Sequence, residues 1–88
     1  MRFFLSGNLL RFSNYHREID VEAATIYEGI FGLINQYPDL RPVLLDGDDE
    51  VRGVHRLFLD GQPLAAEGLR EAVPSEADVT ILTAIAGG

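Results

Sequence analysis

The 88-residue sequence contains no cysteine, no tryptophan and no lysine. The absence of cysteine excludes disulfide scaffolds, cysteine-ligated zinc fingers, iron–sulfur clusters and thiolate catalysis. No apolar run approaches the roughly 20 residues that a membrane-spanning helix needs, and the first residues lack the sustained apolar stretch of a signal peptide. We therefore expect a single cytoplasmic domain without a membrane partner.

Basic residues are scarce, because seven arginines stand against 14 Asp and Glu and the formal net charge is −7. The arginines are scattered along the chain, so no basic face is available to neutralise phosphates, and we expect no nucleic-acid partner. Such a charge is typical of a small domain kept in solution, and it also favours a basic protein as partner.

Hydrophobic patterning predicts one main helix and several strands. Residues 1–5 and 17–22 alternate between apolar and polar, as half-buried strands do. Thr25 and Glu28 form a capping box before a helical apolar stripe that ends at Pro38. Strands are expected at 54–59 and 78–85, the first closed by the turn dipeptide Asp60-Gly61 and the two joined by an irregular crossover. The order of elements predicts an α+β roll with one helix on a mixed sheet.

No group of residues forms a self-contained active site or metal site. The acidic segment 46–50 would begin an EF-hand, but Val51 and Leu57 occupy the positions where that motif needs Gly and Glu. His16 and His55 have no metal-like spacing, and each is interpreted as a surface or strand-edge residue. No serine lies in a nucleophile motif and no glycine run forms a phosphate loop. We expect no bound metal, no bound cofactor and no catalytic residue.

The C-terminus carries the most informative pattern. The last strand runs without a polar turn into Ile85, Ala86, Gly87 and Gly88. Two glycines favour an extended tail that could reach about 13 Å beyond the fold and enter a narrow channel. We therefore predict a domain over 1–84 and a flexible tail over 85–88, although frayed Gly-ended termini without a function are also common.

The whole chain resembles the ubiquitin-like β-grasp sulfur carriers, the MoaD/ThiS family. The segments that carry this resemblance are the capped helix, the third strand and turn His55–Leu64, the last strand Ala77–Leu82 and the tail Ala86–Gly88. The additional segment Pro38–Arg52 is similar to the MoaD-like branch, while Asp60 stands where these carriers often have Asn. The resemblance implies a β-grasp (ubiquitin-like) roll with a mixed four- to five-stranded sheet and one main helix.

The resemblance also implies a function in which the protein is a substrate. A MoaB/ThiF-like adenylating enzyme would use ATP to adenylate Gly88, and a sulfur donor would then displace AMP and leave a thiocarboxylate. The tail from Ile85 to Gly88 would enter the sites of that enzyme and of a sulfur-accepting biosynthetic enzyme. Molybdopterin, thiamine, cysteine and sulfur-containing secondary metabolites are all compatible products.

A partner-binding patch is predicted on the sheet face that points away from the helix. Alternation places Phe4, Phe58 and Leu82 on this face, and Arg56 at its rim. Large apolar side chains on an otherwise polar sheet face are typical of docking surfaces. Coverage of one or two of them by the crossover or by the first turn is the alternative.

Two other functions fit the sequence. The protein could be a ubiquitin-like modifier whose Gly88 is conjugated to amines of other proteins, or a β-grasp interaction domain with an inert tail. The absence of lysine argues against a modifier that forms chains, because no side-chain amine is present to accept an isopeptide bond.

Overall fold

The computed structural model describes residues 1–83, so the predicted tail and the boundary that separates it from the domain lie outside the described residues. The described chain contains five strands, two α-helices and three 3-10 helices. The strands and α-helices are β1 (Arg2–Leu5), β2 (Glu18–Asp20), α1 (Ile26–Gln36), α2 (Arg41–Leu44), β3 (His55–Leu59), β4 (Gln62–Leu64) and β5 (Asp78–Thr83). The 3-10 helices are Gly7–Phe12, Pro38–Leu40 and Ala66–Arg70.

The strands form one mixed sheet in the order β2-β1-β5-β3-β4. The last strand of the chain is the central strand of this sheet, parallel to β1 and antiparallel to β3. The α+β roll with a mixed sheet and one main helix, as the pattern predicted, is therefore confirmed.

Helix α1 begins where the capping pattern places it. The Thr25 side-chain oxygen accepts a hydrogen bond from the Glu28 backbone N–H at 3.1 Å. The Glu28 carboxylate reaches back to the backbone N–H of Ala24 at 3.3 Å, one residue before the expected Thr25 donor. The Tyr37 N–H bonds to the Leu33 carbonyl, and Pro38 then starts a 3-10 helix.

The core lies between α1 and one face of the sheet. Alternate strand residues enter it, and the apolar stripe of α1 covers them. The fully buried side chains of the sheet and helix are Phe3, Ile26, Ile30, Leu33, Val79 and Ile81. The helix packs closely at Gly29, where an added Cβ would lie 2.5 Å from the Met1 sulfur and 3.0 Å from the Phe3 ring.

Strand β4 was not predicted as a separate element, because it has only three residues and includes Pro63. Proline demotes a strand prediction in general, but it is tolerated on an edge strand such as this one. The turn Asp60-Gly61 has φ of 48° and 86°. Two left-handed residues between paired strands form the tight hairpin turn that suits strand twist, so this dipeptide joins β3 to β4.

Candidate functional site

The end of β5 is the part of the described structure that leads to Gly88. Thr83 is the last residue of β5 and pairs with His55 of β3, and five residues of the sequence follow it. Because β5 lies between two partner strands, its last residue Thr83 ends a strand in the middle of the sheet. The predicted modified residue Gly88 and the predicted inserted residues Ile85, Ala86 and Gly87 lie outside the described residues.

A buried histidine fixes the end of β5. His55 is only 6% exposed, and its Nε2 lies 2.8 Å from the Val43 carbonyl oxygen. A carbonyl can only accept, so Nε2 donates, and in the neutral ring Nδ1 accepts from the Thr83 hydroxyl at 3.0 Å. The surface position expected for His55 was therefore wrong, although His55 does begin strand β3, and it links the last described residue to α2.

The four predicted patch residues lie on the same face of the sheet. Phe4 pairs with Thr80, and Thr80 pairs on its other side with Phe58, so the two rings flank one central residue. Leu82, two residues after Thr80 on β5, pairs with Arg56. Phe4 and Phe58 are half-buried, and Leu82 is 42% exposed. We call Phe4, Phe58, Leu82 and Arg56 the outer-face patch; its role in binding stays a prediction.

Two exposed apolar side chains lie at the same end of the sheet as Leu82 and were not predicted as site residues. Val54, 46% exposed, immediately precedes the His55–Thr83 pair. Tyr15, 69% exposed, lies in the turn before β2, beyond the end of the parallel neighbour β1. The sequence pattern could not distinguish the exposed Tyr15 from the buried Leu9 and Leu10, which lie in the same segment between β1 and β2.

The turn that presents Tyr15 has an uncommon backbone. Asn14 and Tyr15 have φ of 53° and 62°, in the left-handed region that side chains rarely adopt. Two hydrogen bonds stabilise the turn. The Tyr15 N–H donates to the Leu10 carbonyl at 2.8 Å, and the Ser13 hydroxyl donates to the His16 carbonyl at 3.0 Å. Tyr15 thus lies in a hydrogen-bonded turn with its side chain exposed.

A group of charged residues lies on the outer face at the start of β5. Arg2 pairs with both Asp20 and Asp78 across the strands, and its Nε lies 3.2 Å from the Asp20 carboxylate. That hydrogen bond, with the charge of Asp20, raises the pKa of Arg2 above its usual value. The outer face thus carries Arg2, Asp20 and Asp78 at the start of β5, while its large apolar side chains lie further along the strand, where Arg56 pairs with Leu82.

Carboxylates of the acidic segment 46–50 bond to the backbone of the segment itself and to a nearby arginine. Asp46 accepts hydrogen bonds from the backbone N–H groups of Glu50 and Asp48, and these bonds lower the pKa of Asp46, with a smaller contribution from the charge of Arg52. Asp49 is paired with Arg41 at 2.6 Å. Within residues 1–83 no cluster of three or more His, Asp or Glu is placed to hold a metal ion.

Comparison with known proteins relates the fold to solved structures. SAMP1 from Haloferax volcanii is 20% identical with a TM-score of 0.87, and the match covers 99% of this chain and 97% of that chain. A chain of the Amycolatopsis orientalis BexX/CysO complex is 18% identical with a TM-score of 0.86, covering 99% and 98%. Mycobacterium tuberculosis CysO is 17% identical with a TM-score of 0.82, covering 96% and 98%.

These likenesses show the fold. The chain has the ubiquitin-like β-grasp architecture that its resemblance implied. No family model and no curated protein sequence matches it. None of the helices within residues 1–83 is long and apolar enough to cross a membrane.

Proposed function

We propose that the protein is a sulfur carrier, a substrate of other enzymes, whose Gly88 is adenylated and then converted to a thiocarboxylate. One observation carries the proposal. The strand that precedes the Gly-Gly terminus is the central strand of a β-grasp sheet, tied to both neighbours and anchored at Thr83. A rigid base of this kind delivers the terminal carboxyl group to a partner's site by position and not by diffusion.

The chemistry follows from the state of a terminal carboxyl group. Such a group has a pKa of about 3.3–3.7 and is ionised at neutral pH, so it resists attack by sulfur but can itself attack phosphorus. A carboxylate oxygen of Gly88 would attack the α-phosphorus of ATP and release pyrophosphate. Sulfide would then attack the acyl carbon and release AMP. When the donor is a persulfide, a thiol of the enzyme must also cleave the sulfur–sulfur bond.

Two partners are needed in this proposal. The first is a MoaB/ThiF-like adenylating enzyme, which holds the ATP and receives the sulfur donor. The second is a biosynthetic enzyme that takes the sulfur from Gly88. The likeness to a chain of the BexX/CysO complex supports partnership with enzymes, because that chain belongs to a two-component assembly and shares this fold. The outer-face patch, which includes Leu82 next to the last described residue of β5, is the surface we assign to these contacts.

Conjugation to other proteins is the second candidate. SAMP1 from Methanosarcina acetivorans, described as a small archaeal modifier protein, is 21% identical with a TM-score of 0.85. In this case the activated Gly88 would be attacked by an amine of a target protein. The lysine-free sequence is consistent with attachment of single copies.

Intact mass after incubation with ATP, a sulfur source and cell extract separates the candidates. Replacement of one oxygen by sulfur supports the carrier, and adducts with other proteins support the modifier. No change under conditions in which the extract forms other thiocarboxylates would contradict both. Deletion of Gly87 and Gly88 is the matched control, since it should abolish either product while leaving the described domain folded.

A further inference from the structure

A cavity of about 320 Å³ opens beside β3, where the short strand β4 ends. Its volume is at the lower end of the range of ligand pockets, and it suits one or two side chains. The walls come from the loop before β3, from β3 itself and from the segment that leads from β4 into the 3-10 helix Ala66–Arg70. Its apolar lining includes Val51, Leu57, Leu64, Ala65, Ala66 and Leu69.

The charge at this cavity reverses that of the molecule. The chain as a whole has two carboxylate side chains for every arginine, but among the described residues the cavity is lined by Arg52, Arg56 and Arg70 and by one carboxylate, Glu50. Arg70 is already engaged, because its Nη2 lies 3.2 Å from the Glu50 carboxylate and its guanidinium lies 4.1 Å from the centre of the Tyr27 ring. Within the described residues the other two arginines form no ion pair, although the charge of Arg52 also acts on Asp46.

Backbone carbonyl groups orient these two arginines. Arg52 donates through Nε to the Pro42 carbonyl at 3.0 Å, and Arg56 donates through Nη1 to the Gly53 carbonyl at 2.8 Å. A carbonyl oxygen holds a guanidinium in place but does not neutralise its charge. Each side chain is thus positioned in advance, with further N–H donors suited to a carboxylate.

We propose that this arginine-rimmed cavity binds a segment of a partner protein in which an apolar side chain lies next to Asp or Glu. The apolar side chain fills the cavity, and the carboxylate pairs with Arg52 and Arg56. A protein segment is the occupant because Arg56 and Phe58 belong both to the cavity and to the outer-face patch. A partner that covers the patch reaches the cavity across one continuous surface. The inference does not depend on sulfur chemistry, so it can fail or succeed apart from the proposed function.

The test is a titration of the ¹⁵N-labelled full chain with the peptide acetyl-Asp-Leu-Phe-Asp-amide, followed by amide chemical shifts. We expect saturable shifts confined to residues 50–58 and 63–70. The same peptide with Asn in place of both Asp should bind about tenfold more weakly, as loss of charge-assisted hydrogen bonds predicts.

Matched variants separate the charged rim from the apolar wall. Replacing both rim arginines, Arg52→Gln with Arg56→Gln, should weaken binding about tenfold, and Ala66→Phe should block it by filling the cavity. Arg17→Gln, which removes an exposed arginine far from the cavity, should leave binding unchanged. Circular dichroism of each variant verifies that the domain is folded.

Several results would overturn the proposal. These are the absence of saturable shifts, equal binding of the Asn peptide, or the same shifts with inorganic phosphate alone, which would indicate a site for anions only. A chain that ends at Thr83 provides a further check. If it binds the peptide much more tightly than the full chain, then residues 84–88 compete for the cavity and the protein's own terminus is the occupant.

Discussion

The two faces of the sheet are built from alternate residues of the same strands, yet they differ in how completely they are covered. On the inner face Phe3 and Val79 are fully buried beneath α1, while on the outer face Phe4 and Phe58 are only half-buried and flank Thr80. Adjacent phenylalanines on one strand therefore differ in burial. The inner face forms the core, and recognition of a partner by the outer face stays a prediction.

The largest expected effect tests this difference on neighbouring residues. Phe3→Ala should lower the free energy of unfolding by about 3–5 kcal/mol, because it leaves a cavity in the core. Phe4→Ala should cost about 1 kcal/mol, because the ring is only half removed from water. Urea denaturation of both variants measures the contrast, and equal losses would show that the two faces contribute alike to the fold.

A charge on the outer face should affect function and spare the fold. Phe58→Asp is expected to slow activation by the adenylating enzyme about 30-fold or more, as loss of a central interface residue does. Phe31→Asp, the same change on helix α1 at the other side of the sheet, is the control and should leave activation unaltered. Pyrophosphate release at matched protein concentration is the readout, and an unchanged rate for the Phe58 variant would remove that residue from the interface.

The end of β5 gives a smaller and more local effect. Thr83→Val leaves the Nδ1 atom of buried His55 without its donor and should lower the free energy of unfolding by about 1–2 kcal/mol. Thr80→Val, the same substitution on the outer face of the same strand, should cost less than about 0.5 kcal/mol. Thermal denaturation of both variants tests whether the hydrogen bond between His55 and Thr83 stabilises the end of β5. Equal losses of stability in the two variants would show that it does not.

The smallest effect concerns pH and the acidic loop. Backbone hydrogen bonds lower the pKa of Asp46 below its ordinary value of 3.8, so they stabilise the fold at pH values above 3.8. This contribution is lost as the pH falls through the lower pKa that Asp46 has in the folded state. Asp46→Asn should therefore make the stability decline less steeply on acidification below about pH 4. Asp48→Asn changes the charge of the same loop without removing that acceptor. Urea midpoints at several pH values compare them, and an equal slope for all three proteins would contradict the assignment.

The sequence predicted those features that local chemistry determines. The capping pair Thr25 and Glu28, the apolar stripe of α1 and the alternation that places Phe4 and Phe58 on one face all follow from spacing within an element. Strand β4 was not predicted because it contains Pro63. The proline is tolerated because β4 lies at the edge of the sheet, and the local sequence does not show which strand lies at the edge. The burial of His55 depends on Val43 and Thr83, which are distant along the chain.

The arginine-rimmed cavity could not be predicted for a similar reason. Arg52 lies in the loop before β3, Arg56 lies in β3, and Arg70 lies in the 3-10 helix between β4 and β5. Only the fold brings these segments together. Scattered arginines in a sequence indicate no basic site. Their convergence depends on the hairpin of β3 and β4, which returns the chain to the start of β3.

The position of the sulfur tests the central claim most directly. Cleavage after Arg70 releases the C-terminal peptide Glu71–Gly88, which contains neither cysteine nor methionine, because the chain has no cysteine and its single methionine is Met1. After incubation with ATP, cell extract and a radioactive sulfur source, we expect label in this peptide, localised to Gly88 by fragmentation. A labelled reaction mixture in which this peptide carries no sulfur would contradict the account.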